Sequence, residues 1–424
     1  MPDAQNMPQP VAGKVLIIVE NLPVPFDRRV WQEATALREA GYEVSVICPT
    51  GKKHTELEET LDGIHIYRHN LPLEASGALG YLAEYSAALF HEMRLSIKVL
   101  RKHGFDVIHA CNPPDLIFLV AAFHKLFFGK KFLFDQHDIN PELYEVKFGK
   151  KGFFHKLLTI FERCTFKLAD GSLATNETLR DRAINTGKMP PEKVWVVRSF
   201  PDIGRFKRAE PDPTAKRGRR YLAGYVGIMA EQDGVEYLVR AMDHIVNAEG
   251  RDDIGCIIIG DGPDYDRLRA LSEELNLTDY VEFAGYVSGQ PLLEKLSACD
   301  IGVIPDPSNV CNDKLSMNKV FEYMALGMPF VQFNLEQAKI DAGEAAHVVE
   351  ESTPESLAKG MMDLLADPER REQMATYARE RAQREFHWDI EKHSMLDAYK
   401  TLLSPKERIH VTDTVSKAAS TASE

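Results

Sequence analysis

No stretch of this 424-residue chain is apolar for the roughly 20 residues a membrane-spanning helix requires, which excludes a helical span. Met1 to Gly13 is polar and lacks the apolar core of a secretory signal, so export is not expected. Cysteine is sparse: six residues, at 48, 111, 164, 256, 299 and 311, without metal-like pairing, which read as reduced cytosolic thiols. Cations are in deficit, 51 Lys and Arg against 64 Asp and Glu, and a net charge of −13 argues against general nucleic-acid binding. What is present describes a folded protein, 44% hydrophobic and 27% charged. The chain is too long for one typical core, so two domains are expected.

Two halves repeat one theme. Lys14–Val19 is a short apolar run that reads as a buried parallel strand, and Val44–Cys48, Asp106–Ala110, Lys131–Phe134 and Gly171–Ala174 read as further strands, with helical segments between them. A Pro-rich, charged stretch from Phe200 to Arg220 interrupts the pattern as a linker does. Strands then resume at Tyr221–Val226, Gly255–Ile259, Tyr280–Phe283, Ile301–Ile304 and Pro329–Phe333, with helices over Gly234–Ala248 and Asp264–Leu275 and helical pattern from Pro354 to Tyr399. The expected fold class is α/β: two doubly wound, Rossmann-like domains facing each other across a cleft at the carboxyl ends of their strands. Expected bounds are 14–199 for the first domain, 200–220 for the linker, 221–385 for the second domain, 386–403 for a closing helix and 404–424 for a disordered tail.

The segment Cys311–Val331 carries the most chemistry. A polar loop enters a short helix with Ser316 and Asn318 suited to cap it, and Gly327 suits its left-handed close. The first turn offers N–H groups to an anion and Lys319 adds a full charge. One turn on, the Glu322 carboxylate can accept two hydrogen bonds from a sugar diol. Phosphate donors beside a diol acceptor point to a nucleotide-sugar site; the plainer alternative is an ordinary capped helix.

Val226-Gly227, Ile259-Gly260-Asp261-Gly262-Pro263, Val281–Val287 and Lys319–Val331 follow one another in an order and spacing that resembles the family-4 glycosyltransferases of GT-B architecture. The opening strand, Asp106–Ala110, Asp135-Gln136-His137-Asp138 and the final Phe386-His387-Trp388 with its helix agree, so the resemblance spans roughly Lys14 to Leu403. It implies retaining transfer of a sugar from a nucleotide-sugar, with no cofactor and no metal. It places Glu322 on the ribose, the backbone of Phe283 to Val287 at the base, and Gly227, Gly260, Gly262 and Pro263 along the nucleotide. His137, with Asp138, falls beside the donor sugar and reaction centre, and the closing helix crosses back onto the first domain. Asp313, Lys314, Ser316, Asn318 and Lys319 complete the donor side.

Three departures stand out. The glutamate usual eight residues before the ribose glutamate is Lys314, with Asp313 beside it. The usual diphosphate-gripping Arg and Lys are missing from Gly227–Gly234, and the glycine-rich first loop reads Pro23–Arg29. A diphosphate still needs charge-assisted donors, and Lys319, Lys314, Arg28, Arg29 and Arg198 are the candidates. The same losses also fit a non-catalytic GT-B protein that binds a nucleotide-sugar or partners an active transferase. An epimerase on the same architecture is a third reading. Asp264-Tyr265-Asp266 resembles a metal-binding motif but falls where a helix starts, so helix N-terminal acids are the better reading.

Lys147–Lys167 carries six cations and one acid within an acidic protein. Phe153, Phe154, Leu157, Leu158 and Phe161 form an apolar stripe at helical spacing. Either the stripe faces the core and the cations face water, or Lys150, Lys151, Phe153, Phe154 and Lys156 face an anionic membrane. The expected protein is therefore a cytoplasmic enzyme, and on the second of these readings it is peripheral at the inner face of a membrane. Its acceptor would be a glycan or lipid-linked sugar, in surface polysaccharide or glycolipid synthesis, and it would not bind nucleic acid.

Overall fold

A computed structural model describes residues 12–51, 54–70 and 77–404. The tail expected over 404–424 lies, from residue 405 on, outside the described residues.

The first half alternates β1 (Gly13–Ile18), α1 (Arg28–Glu39), β2 (Tyr42–Pro49), β3 (Glu58–Leu61), β4 (Ile64–His69), α2 (Gly77–Lys102) and β5 (Val107–Cys111). It continues with α3 (Phe118–Phe128), β6 (Lys131–Gln136), α4 (Asn140–Phe148), α5 (Phe153–Leu168), β7 (Gly171–Ala174), α6 (Glu177–Asn185) and β8 (Val194–Val196). These eight strands form one sheet in the order β3-β4-β2-β1-β5-β6-β7-β8, parallel throughout except for the β3–β4 hairpin. The apolar runs are strands because helices cover both faces. In β1, Leu16, Ile17 and Ile18 are wholly buried, two on one side in one core cluster and one in the other.

The second half holds β9 (Tyr221–Val226), α7 (Val235–Asp243), β10 (Ile254–Ile259), α8 (Tyr265–Glu274), β11 (Val281–Gly285), α9 (Gln290–Ser297) and β12 (Ile301–Ile304). Then come α10 (Asn318–Ala325), β13 (Phe330–Phe333), α11 (Glu336–Ala342), β14 (Ala346–Val349), α12 (Pro354–Ala366), α13 (Pro368–Arg384) and α14 (Trp388–Leu403). The sheet order is β11-β10-β9-β12-β13-β14, all parallel. The helix expected over 234–248 ends as α7 at Asp243 and relaxes into a π turn over His244–Ala248. The helical pattern expected from 354 is cut where Asp367 caps Arg370 N–H and Pro368 opens α13.

Two devices position the cleft. Strand order reverses between β1 and β5 in one sheet and between β9 and β12 in the other, which opens a crevice at the carboxyl end of each pair. The chain then crosses back: α14 buries Met395, Ala398, Tyr399 and Leu402 in the first domain's core beside Ile17 and Val197. Each large apolar side chain so buried stabilises the docking by about 1.5–3 kcal/mol. The reverse contact comes from the loop before α10, whose Cys311 and Leu315 pack into the first domain.

Candidate active site in the interdomain cleft

Construction starts at the first two residues of α1. Asp27 caps the helix, accepting from Val30 N–H at 3.1 Å. Arg28 and Arg29 then diverge, as neighbours about 100° apart around a helix must. Arg28 reaches across the cleft, and its Nη1 donates to Glu322 Oε1 at 2.8 Å. Arg29 turns inward and is buried, its Nη2 2.8 Å from Asp135 Oδ1 and its Nε 3.1 Å from Asp135 Oδ2. It also donates to the Val197 carbonyl at 2.8 Å and lies 3.1 Å from Glu33, four residues on. The expectation that Arg29 grips a phosphate is therefore corrected: its donors are spent on buried acceptors.

Asp135 is the hub of that buried group. It belongs to β6, and the chain leaves the strand through His137 and Asp138, whose backbone N–H groups donate to Asn112 Oδ1 at 2.8 and 3.3 Å. His137 Nε2 lies 2.6 Å from Asp135 Oδ2. His109 Nε2 approaches the same oxygen at 3.4 Å, while its Nδ1 meets the Tyr399 hydroxyl of α14 at 2.7 Å. Burial alone would raise the Asp135 carboxyl, but Arg29 and His137 hold it well below the usual carboxylate range. Burial would lower His137; the Asp135 carboxylate outweighs it and holds the imidazole above its ordinary value. His137 is thus an imidazole fixed at Nε2 by a charged partner, with its side chain 17% exposed and Nδ1 unbonded among the described residues. Burial also lifts the Asp138 and Glu33 carboxyls.

On the opposite wall, the loops after β9 and β10 touch backbone to backbone. A Cβ on Gly260 would stand 1.8 Å from the Gly227 carbonyl oxygen, and one on Gly262 would stand 2.4 Å from that of Met229. Gly260 and Gly262 are glycines because no side chain fits, and Pro263 follows them into α8. Phe283 and Val287 turn their side chains to the domain's core, and the Phe283 carbonyl accepts from the Tyr265 hydroxyl at 3.3 Å. Between them in sequence, the exposed Tyr286 ring meets Phe26 of the first domain at 5.5 Å, a pair that sequence reasoning missed.

The helix α10 corrects two expectations. Its N-cap is Met317, with no side-chain cap. Ser316 instead receives Asn176 Nδ2 at 3.2 Å from the first domain, and Asn318 is the first helical residue. Gly327 closes the helix at φ +57°, with the Met328 N–H on the Tyr323 carbonyl at 2.8 Å. Lys319 is buried rather than presented to the cleft, because Asp306 lies 3.0 Å and Asp233 3.9 Å from its Nζ. Burial lowers the ammonium's pKa, but the two aspartates hold it above its ordinary value, and burial pushes Asp233 up to about 6. Glu322 is also raised by burial, with Arg28 and Lys319 opposing.

Lys314 pairs with Glu142 of the first domain at 2.9 Å, and Asp313 accepts from Ser308 at 3.1 Å. Arg198, expected as a phosphate candidate, is tied by its N–H and Nη1 to Glu391 of α14 at 2.8 and 3.3 Å. Of the three arginine candidates, Arg28 is the one whose side chain faces the cleft, 61% exposed. Asp264 stands just before α8 and pairs with Arg267 at 2.9 Å.

Comparison with known proteins agrees with this architecture. A model of Glycosyltransferase Family 4 matches residues 27–205, and one of Glycosyl transferases group 1 matches residues 206–381. An uncharacterized glycosyltransferase of Methanocaldococcus jannaschii is 29% identical over 394 residues, 87% of this chain and 92% of that one. Among solved structures, sucrose-phosphate synthase from Thermosynechococcus elongatus superposes with a TM-score of 0.73 at 20% identity, covering 92% of this chain and 99% of that one. Anabaena HepE in complex with UDP-glucose gives 0.67 at 15%, covering 92% and 100%. With two matched halves, two facing Rossmann-like domains and a last helix that crosses back, the chain belongs to the family-4 glycosyltransferases of GT-B architecture.

Proposed function

We propose that the protein moves a sugar, with retention of configuration, from a nucleotide-sugar to a glycan or lipid-linked acceptor in surface polysaccharide or glycolipid synthesis. One observation carries this reading: two consecutive residues at the head of α1 serve the two walls, the first across the cleft and the second within its own domain. Arg28 holds Glu322, and Arg29 holds the Asp135 that holds His137. Glu322 is the diol acceptor for the donor ribose. Arg28, released from it by the ribose, is the mobile cation nearest a diphosphate. His137 presents Nδ1 to the transferred sugar. In the reaction the bond from the anomeric carbon to the phosphate oxygen breaks. A bond to the acceptor hydroxyl oxygen forms on the same face, and the leaving phosphate takes the hydroxyl proton. The protein supplies position and charge. Turnover of a panel of nucleotide-sugars with a sugar or lipid-linked acceptor tests the reading.

The second reading is a donor-binding protein without turnover. It is favoured by Lys319, whose charge is already matched by Asp306 and Asp233. Nucleotide-sugar binding with no product from any donor in the panel would select it.

Glu322→Gln is expected to weaken nucleotide binding by about 1.5–3 kcal/mol, the worth of a charged acceptor, while the variant keeps its fold. Calorimetric titration with UDP and GDP measures this, and wild-type affinity in a folded variant removes Glu322 from the ribose. We further propose that transfer needs no metal. Activity is expected to survive EDTA; loss restored by manganese or magnesium overturns that part.

A further inference from the structure

The face that α5 turns to solvent is built against the grain of the molecule. Phe153, Lys156, Ile160, Arg163 and Lys167 recur every three or four residues along it, and all five are exposed. Phe153 is 73% exposed and Ile160 53%. The stripe read from sequence thus divides: Leu157, Leu158 and Phe161 lie half-buried, while Phe153 and Phe154 stand outside. No acid shares the face, for Glu162 is buried against Arg182 at 2.6 Å.

The neighbouring α3 extends the surface. Its start packs beside the middle of α5, Phe118 to Phe161 at 6.2 Å, and its end meets the end of α5 through Lys125 on the Leu168 carbonyl at 2.6 Å. Outward from α3 point Leu126 and Phe127, 76% and 72% exposed. Two adjacent helices therefore leave large apolar side chains in water, with cations spaced among those of α5. Each such side chain forgoes the stabilisation that burial gives, so the face is fitted to something that covers it.

Charge decides what. The chain carries −13 overall and is repelled by anionic surfaces in general, yet this face is cationic. Protein interfaces deplete lysine from their apolar core. Rings interleaved with lysine and arginine suit the headgroup region, where rings enter the acyl boundary and cations meet lipid phosphates. We propose that the α3–α5 face of the first domain docks on an anionic lipid bilayer. The proposal does not rest on the transferase reading, because lipid binding is measured without turnover.

Sedimentation of the full chain with phosphatidylcholine vesicles, with and without phosphatidylglycerol, tests it at low salt. Wild type is expected to pellet only with the anionic vesicles. Lys156→Gln, Arg163→Gln and Lys167→Gln together are expected to weaken partitioning about a hundredfold, since each cation near the surface contributes roughly a factor of five. Phe153→Ser with Phe154→Ser is expected to release the protein as well. Both variants should keep the wild-type melting temperature and nucleotide affinity. Wild type left in the supernatant, or variants that pellet as wild type does, overturns the proposal. So does a lipid-free dimer that the phenylalanine changes dissociate, which makes the face an interface between copies.

Discussion

Arg29→Met is expected to lower folding stability by about 3–5 kcal/mol at neutral pH, the loss that follows when one partner of a buried ion pair is removed. The Arg29 side chain is buried and serves Asp135, Glu33 and the Val197 carbonyl. Methionine fills part of the volume and leaves two carboxyls buried without their cation. The deficit should depend on pH with a definite sign. In the wild type the Asp135 carboxyl is held well below its ordinary value, so its contribution is present above the unfolded pKa and is lost only as pH falls through the folded one. In the variant Asp135 takes up a proton more readily, so the gap between the two proteins should narrow as pH falls into the ordinary carboxylate range. Urea denaturation across that range measures both. A variant of wild-type stability that has lost only nucleotide affinity would return Arg29 to the cleft.

That expectation differs from the one the sequence offers, and the reason is directional. Arg28 and Arg29 are equivalent as letters. The rotation of a helix sends one outward and the other inward, and only the tertiary structure says which. Two local signals were there. Glu33 lies four residues after Arg29, the spacing of a helical ion pair, and Asp135 follows the apolar run Phe132–Phe134 within the buried β6, as a buried acid with a partner does. Lys319 had no such local signal. Its partners Asp306 and Asp233 come from loops that β12 and β9 bring to one crevice. The fold is legible where burial is two-sided: β9 and β12 are apolar runs, and they and the wholly buried β7 have the bounds expected of them. The β3–β4 hairpin was not read, because β3 is half-exposed and carries Glu58 and Glu59, while the buried β4 breaks its apolar pattern with His65, Arg68 and His69. Its turn, Asp62-Gly63 with φ +47° and +79°, is the one residue pair that announced it.

His137→Ala should lower the transfer rate by a factor on the order of 10²–10³, the usual cost of one preorganised polar group at a developing charge. Nucleotide affinity should stay nearly unchanged, because the proposed reading turns the imidazole to the transferred sugar and holds the ribose and base from the other wall. That split, rate without affinity, is the mark of an interaction made mainly in the transition state. The geometry asks for it: Asp135, itself fixed by Arg29, holds Nε2 at 2.6 Å, and Asn112 fixes the backbone at 2.8 Å, so the ring is aimed before the donor arrives. Asp135 also keeps the imidazole protonated to higher pH than usual, so the protonated ring is present below its raised pKa and is lost as pH rises through it. If the protonated ring is the form that acts, the wild-type rate should fall over that rise and the alanine variant's profile should be flat there. Asp135→Asn removes the charge and one of the two acceptors, and in variant protein shown to be folded it should move the fall to lower pH. Single-turnover rates across pH, beside nucleotide titration of each variant, provide the measurement. A rate in His137→Ala equal to wild type would make His137 a structural partner of Asp135 and nothing more.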